Sequence, residues 1–214
     1  MNVTKYEHSA MVVSKGGDRL VIDPGSFLAS LPDTSGIVGI VITHEHADHF
    51  SVDRVNELIE ANPDVRVLGP QGVADAAAAS GIDVEVVAAG DEQEVGPFTL
   101  RFFGEKHNVI HSSIPVIDNV GVLVDGEFYY GGDSYTVPEG VEVELLAAPV
   151  GAPWLKIGEA MDYVLAVKPR RAFPVHDMTL SVAGKKMHND RLQWATEQGS
   201  GAYSVLEPGE SIDL

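Results

Sequence analysis

Cysteine is absent from the 214 residues. That excludes a disulfide framework, a thiolate metal site and a cysteine nucleophile. Any metal held by this chain must take histidine and carboxylate ligands. Basic residues are scarce too: Lys and Arg number 14 against 32 Asp and Glu, a formal net charge of −18. Such a field repels phosphate backbones and attracts cations, so no nucleic-acid substrate is expected. The same acidity also serves solubility. No apolar run approaches the length of a membrane span. The amino terminus, M-N-V-T-K-Y-E-H, lacks the charged start and long apolar core of a signal peptide. A soluble, cytoplasmic protein with no membrane partner is expected. No G-x-S-x-G elbow offers a serine nucleophile. There is no fixed-period repeat, and low complexity is confined to Ala76 to Ala79.

Hydrophobic residues make up 44% of the chain, enough for a sizeable core, and the length fits a single domain over 1–214. The most informative stretch is His44-Glu45-His46-Ala47-Asp48-His49. It follows Gly36 to Thr43, an apolar, β-branched run that reads as a buried strand. It precedes a segment in which Val52, Val55, Leu58 and Ile59 share one helical face, with Ser51 placed as N-cap. The cluster therefore sits where a buried strand hands over to a helix, the place where α/β folds put ligands. Imidazole and carboxylate suit zinc, iron, nickel or manganese. Four such groups in so short a loop cannot reach one ion without severe strain. They can serve two, His44 and His46 on one, Asp48 and His49 on the other. Two ions about 3.5–4 Å apart can hold a hydroxide and clamp a carbonyl or phosphoryl oxygen. The bland alternative, a loop whose histidines only cap and hydrogen-bond, does not account for three histidines and an aspartate in this order.

The rest of the chain alternates strands and helices, which implies an α/β architecture. Met11 to Val13 and Arg19 to Ile22 flank a hairpin turn at Gly16-Gly17-Asp18, and Asp23-Pro24-Gly25 ends the second strand. Strands are expected over Val65 to Leu68, Val84 to Val87, Pro97 to Gly104, Asn119 to Val124, Glu127 to Tyr130, Val141 to Ala148, Arg171 to His176 and Ala202 to Leu206. Helices are expected over Gln71 to Ser80, closed by Gly81, and over Gly158 to Val167. The polar segment Gly184 to Gln198 reads as a helix with His188 facing solvent, and the chain closes with an acidic tail.

T-H-E-H-A-D-H resembles the H-x-H-x-D-H signature of the metallo-β-lactamase-fold hydrolases. That likeness implies a four-layer αβ/βα sandwich with a metal site at one edge. It implies two divalent ions, zinc first, with manganese, iron or nickel as alternatives. The remaining ligands follow by matching. The third ligand of the first ion is a histidine soon after the strand ending at Gly104. His107 stands nearest and is taken; His111 is the competitor, and whichever loses lines the substrate pocket. Glu105-Lys106 stand where the family often has proline and glycine. Gly131-Gly132-Asp133-Ser134 is similar to the motif whose aspartate bridges both ions, which gives Asp133. Pro174-Val175-His176-Asp177 matches the segment carrying the last ligand of the second ion, His176. Asp23 is expected either to orient a ligand histidine or merely to accept turn hydrogen bonds. The branch resembling ascorbate-6-phosphate lactonase also has a histidine like His8 near the site, as a substrate contact. Trp154 and Lys156, just past a strand end, are expected to shape the pocket, with Lys156 facing an anionic substrate; the alternative is a packed tryptophan and a solvated lysine.

The implied reaction is hydrolysis by a metal-bridging hydroxide. Its target is an ester, lactone or phosphate ester of a small molecule, with Asp48 able to act as general base. A phosphodiesterase or nuclease, or a non-hydrolytic iron redox protein of the same fold, is the alternative. A homo-oligomer is compatible with all of these.

Overall fold

The structure, a computed structural model, describes residues 1–214. The chain first lays down β1 (Asn2–Lys5), β2 (Met11–Lys15), β3 (Asp18–Ile22), β4 (Ile37–Val41), α1 (Val52–Ala61), β5 (Arg66–Gly69), α2 (Gln71–Ala77) and β6 (Glu85–Val86). It continues through β7 (Glu92–Val95), β8 (Phe98–Phe103), β9 (Gly121–Val124), β10 (Phe128–Tyr130), β11 (Leu145–Pro149), α3 (Ile157–Val167), β12 (Arg171–Val175), α4 (Val182–Gln198) and β13 (Ala202–Tyr203). It closes with β14 (Ser211–Asp213). Two seven-stranded sheets result, in the orders β14-β1-β2-β3-β4-β5-β6 and β13-β12-β11-β10-β9-β8-β7. Each is mixed: β3 to β6 run parallel in the first, β10 to β13 in the second.

Alternation along the strands sets the layers. In β4, Val41 points to a central core shared with Leu20, Phe98, Phe128 and Phe173 from both sheets. Ile40, and Ile42 just beyond the strand, point the other way, onto Val55 and Leu58 of α1 and Val73 of α2. In β9, Val122 and Val124 face the central core, while Leu123 packs with Tyr163 of α3 and Leu192 of α4. Period-two side chains on strands buried on both faces thus build helix, sheet, sheet and helix. This is the expected αβ/βα sandwich.

Ser51 caps α1, its Oγ accepting from Arg54 N at 3.4 Å. The alanine-rich helix is shorter than expected: α2 stops at Ala77, a 3-10 turn covers Ala78–Ser80, and Gly81 adopts φ +71°. Strand β11 begins only at Leu145, and β6 and β13 shrink to two residues each. Strands β1, β7 and β14 are additions to the sequence reading. The acidic tail is itself an edge strand, because Ser211, Ile212 and Asp213 pair with Thr4, Val3 and Asn2. Nothing local marks β14, which only its distant partner β1 makes a strand, whereas β1 also pairs with β2 and β7 forms a hairpin with β8. No helix is long and apolar enough to cross a membrane.

Phe128 is fully buried and stacks on Phe173, with ring centroids 6.2 Å apart. Phe128→Ala is expected to lower stability by about 3–5 kcal/mol, read as a fall in the urea midpoint at unchanged m-value. A loss below about 1 kcal/mol would contradict this account of the central layer.

Candidate metal centre

The centre grows from the carboxyl ends of β3 and β4. Asp23, just past β3, has φ +48° and donates its N–H to Val41 O at 2.9 Å. Its Oδ1 accepts from Thr43 N at 2.7 Å. Its Oδ2 accepts from Thr43 Oγ1 and from His49 Nδ1, both at 2.7 Å. Asp23 therefore does both things considered for it, bracing the turn and orienting a histidine. The loop 44–49 folds over Gly25: a Cβ there would lie 1.9 Å from Asp48 O.

Three more segments arrive at the same edge. His107 follows β8, and its Nδ1 donates to Asn108 O at 2.5 Å. His176 follows β12 with φ +60°; its Nδ1 donates to Gly151 O at 2.5 Å and its N–H to His8 O at 2.9 Å. Asp133 follows β10. Asn119 Oδ1 accepts from Asp133 N at 2.9 Å, and Asn119 Nδ2 donates to Gly131 O at 3.0 Å. Gly132, at φ +63°, has room for no Cβ, which would meet Asn119 Oδ1 at 2.4 Å. Trp154 Nε1 donates to Asp133 Oδ2 at 2.7 Å.

These bonds fix the tautomers. Carbonyl and carboxylate oxygens only accept, so Nδ1 carries the proton in His49, His107 and His176. The Thr43 hydroxyl gives its one proton to Asp23, so at 3.1 Å from His44 Nδ1 it accepts. His44 is then fixed in the same way. When neutral, each of the four rings presents its Nε2 lone pair inward; His176, whose pKa Asp133 and Asp48 raise to about 10, must first give up its Nε2 proton. Those four Nε2 atoms, with Asp133 Oδ1, are buried without a hydrogen-bond partner. Orphaned acceptors of this kind are rare and suit a cation.

The atoms fall into two groups that could each hold an ion: His44, His46, His107 and Asp133, and His8, Asp48, His49 and His176. Asp133 stands between them. Its Oδ2 lies 3.3 Å from His107 Nε2 and 3.2 Å from His176 Nε2, and its Oδ1 lies 3.3 Å from His49 Nε2. The electrostatics agree with a cation-binding role. Burial pushes the His44 pKa far down, so it stays neutral and able to ligate. Burial also disfavours charge on His176, yet Asp133 and Asp48 outweigh it and raise its pKa to about 10. Burial likewise opposes charge on Asp133, but His49, His176 and His107 hold it far below the carboxylate range.

A family model described as the beta-lactamase superfamily domain matches residues 2–176, ending on His176. The chain belongs to the beta-lactamase superfamily. It is 38% identical to Protein Rv0786c of Mycobacterium tuberculosis over 99% of this chain and 98% of that one. It is 23% identical to a UPF0173 metal-dependent hydrolase of Staphylococcus epidermidis over 100% of both. Among solved structures it resembles Igni18, a metallo hydrolase of Ignicoccus hospitalis. The TM-score is 0.75 at 19% identity, covering 99% of this chain and 97% of that one.

This superfamily member places several sequence candidates elsewhere than expected. His111 joins neither group; it is exposed and bonds Ser113 Oγ at 2.8 Å. Lys156 is exposed at the start of α3, 3.9 Å from Glu159, so the solvated-lysine alternative fits it. Trp154 is buried and grips Asp133 instead of standing open to a pocket. His8 is more deeply placed than a substrate contact: it is 1% exposed and its Nε2 lies 3.1 Å from Asp48 Oδ2. His188 does not face solvent. It is half-buried, and its Nδ1 donates to Val150 O just past β11. Asn119 went unnoticed in the sequence, where a single asparagine before a strand carries no signal.

Two outcomes follow for this member of the superfamily. Gly25→Ala is expected to displace the Asp48–His49 backbone and weaken metal binding by at least about tenfold, measured by titration of metal-stripped protein. Binding unchanged within error would contradict the steric account. With its raised pKa, His176 carries a proton at pH 8 that a cation at Nε2 must displace. Calorimetry of zinc uptake at pH 8 should therefore show proton release that varies with buffer ionisation enthalpy, and affinity should rise with pH. Heats independent of buffer would remove His176 from the ligand set.

Proposed function

We propose that this chain is a dinuclear metal-dependent hydrolase that opens an ester, lactone or phosphate ester of a small molecule. The observation that carries the reading is the convergence of four buried, unpartnered Nε2 atoms on Asp133. His44, His46 and His107 would hold one ion, Asp48, His49 and His176 the other, and Asp133 both. Two divalent cations, zinc foremost with manganese, iron or nickel as alternatives, would supply Lewis acidity and a water acidic enough to ionise near neutral pH.

The chain's own groups supply the rest. Trp154 donates to the Asp133 carboxylate and Asn119 accepts from the Asp133 main-chain N–H, so both the side chain and its turn are held. Asp23 and Thr43 fix His49 and His44 from behind, which sets ring orientation and basicity. Asp48 is 27% exposed on its side chain, the one carboxylate of the set open to incoming water, and can take a proton from it. His8 steadies that carboxylate. The net charge of −18 keeps nucleic acid disfavoured as a substrate. The name of the Staphylococcus relative, a metal-dependent hydrolase, agrees with this reading.

Elemental analysis of protein purified without added metal should give two ions per chain, and a panel of lactones and phosphate esters should yield turnover. Asp133→Ala is expected to abolish turnover, by more than about 100-fold, and to lower occupancy below two. His107→Ala should empty one position, whereas His111→Ala should leave both filled. Full activity and two ions in the Asp133 variant would refute the dinuclear reading.

A further inference from the structure

Lys5 plays no part in the centre described above, yet it is among the largest side chains that are buried completely. Alternation along β1 turns Val3 and Lys5 inward. Lys5 N donates to Glu210 O at 3.0 Å and Gly209 N to Lys5 O at 2.7 Å, which lays residues 209–210 over it. A lysine is almost never fully buried unless it is paired. The partner here is Asp177, itself buried and next in sequence to His176. Lys5 Nζ donates to both Asp177 carboxylate oxygens at 3.4 Å and to Tyr6 O at 3.3 Å. Burial opposes charge on Lys5, and Asp177 is the chief group that offsets it. On its other side Asp177 takes Lys185 of α4, at 2.9 Å.

Residues 5–8 and 176–178 are tied at two further points. His176 donates its N–H to His8 O at 2.9 Å, and Met178 its N–H to His8 Nδ1 at 3.4 Å. His8 and His176 both hold φ +60°. Backbone of that kind persists only where its surroundings over-determine it. A buried ion pair adds little net stability, because desolvation cancels most of the attraction. What the pair fixes is position: the buried carboxylate beside His176 must stay where the ammonium stands.

We propose that Lys5 is a positioning residue for the second metal position, holding the 176–178 turn through Asp177 so that His176 Nε2 faces Asp48 and Asp133. This rests on the dinuclear reading above and extends it to a side chain outside the ligand set. The first position, built on His44, His46 and His107, does not depend on Lys5.

The test compares zinc uptake by the metal-stripped full chain with that of Lys5→Met and of Lys5→Met/Asp177→Asn, which removes both buried charges at nearly constant volume. Two backgrounds separate the positions: His107→Ala keeps the second, His176→Ala the first. In the His107→Ala background, Lys5→Met is expected to weaken zinc binding at least about tenfold and to alter the visible absorption of cobalt bound there. In the His176→Ala background both readouts should stay as they were. The double variant should keep a urea midpoint close to that of the parent and still bind weakly at the second position, which separates placement from stability. Equal weakening in both backgrounds, or a lowered urea midpoint with zinc affinity untouched, would overturn the proposal and leave Lys5 a structural residue. If the unmutated chain takes up fewer than two ions, the dinuclear reading fails and the proposal with it.

Discussion

Around Asp133, each buried imidazole directs its Nδ1 proton to an oxygen of the protein and its Nε2 lone pair to a shared centre. Everything else in the structure serves that arrangement. A buried lone pair with no donor is expensive to maintain, and several together destabilise a fold unless something positive fills the space. The acceptors that fix the rings come from four separate places: Asp23 after β3, Thr43 after β4, Asn108 after β8 and Gly151 after β11. The site thus depends on the relative placement of both sheets.

The backbone carries strain at the same spot. Of six non-glycine residues with positive φ, three belong to this centre: His8 at +60°, Asp23 at +48° and His176 at +60°. Each costs about 1–2 kcal/mol relative to ordinary backbone. Two of them, His8 and His176, are joined by a main-chain hydrogen bond, so the amino-terminal segment clamps the last histidine of the set. Gly25 and Gly132 contribute by lacking a Cβ, which lets the motif loop and the Asp133 turn approach their neighbours closely. Strain and close approach at one edge, on a relaxed double-sheet core, are what a preorganised site requires.

Much of this was legible in the sequence. The alternation of Ile40, Val41 and Ile42 announced a strand buried on both faces, and Ser51 with its apolar stripe announced α1. The motif at 44–49 was legible in its own residues, Asp133 and His176 by resemblance, and the fold brings them within a few ångströms of one another. What stayed hidden depends on distant partners. Strand β14 exists because it pairs with β1 across the whole chain length. Asn119 and Trp154 matter because a long-range turn brings Asp133 to them. The resemblance set His8 near the site, but its bond to Asp48 and its main-chain clamp on His176 exist only once β12 is beside it. Lys156 had the right place in the sequence and the wrong direction in space, since it starts a helix and meets Glu159 one turn on.

The most direct measurement is anomalous diffraction at the metal edge from crystals of metal-loaded protein. The account predicts two peaks flanking Asp133, one within bonding distance of Nε2 of His44 and His107, the other of Nε2 of His49 and His176. A single peak away from Asp133, or His176 turned out of the cluster, would contradict it.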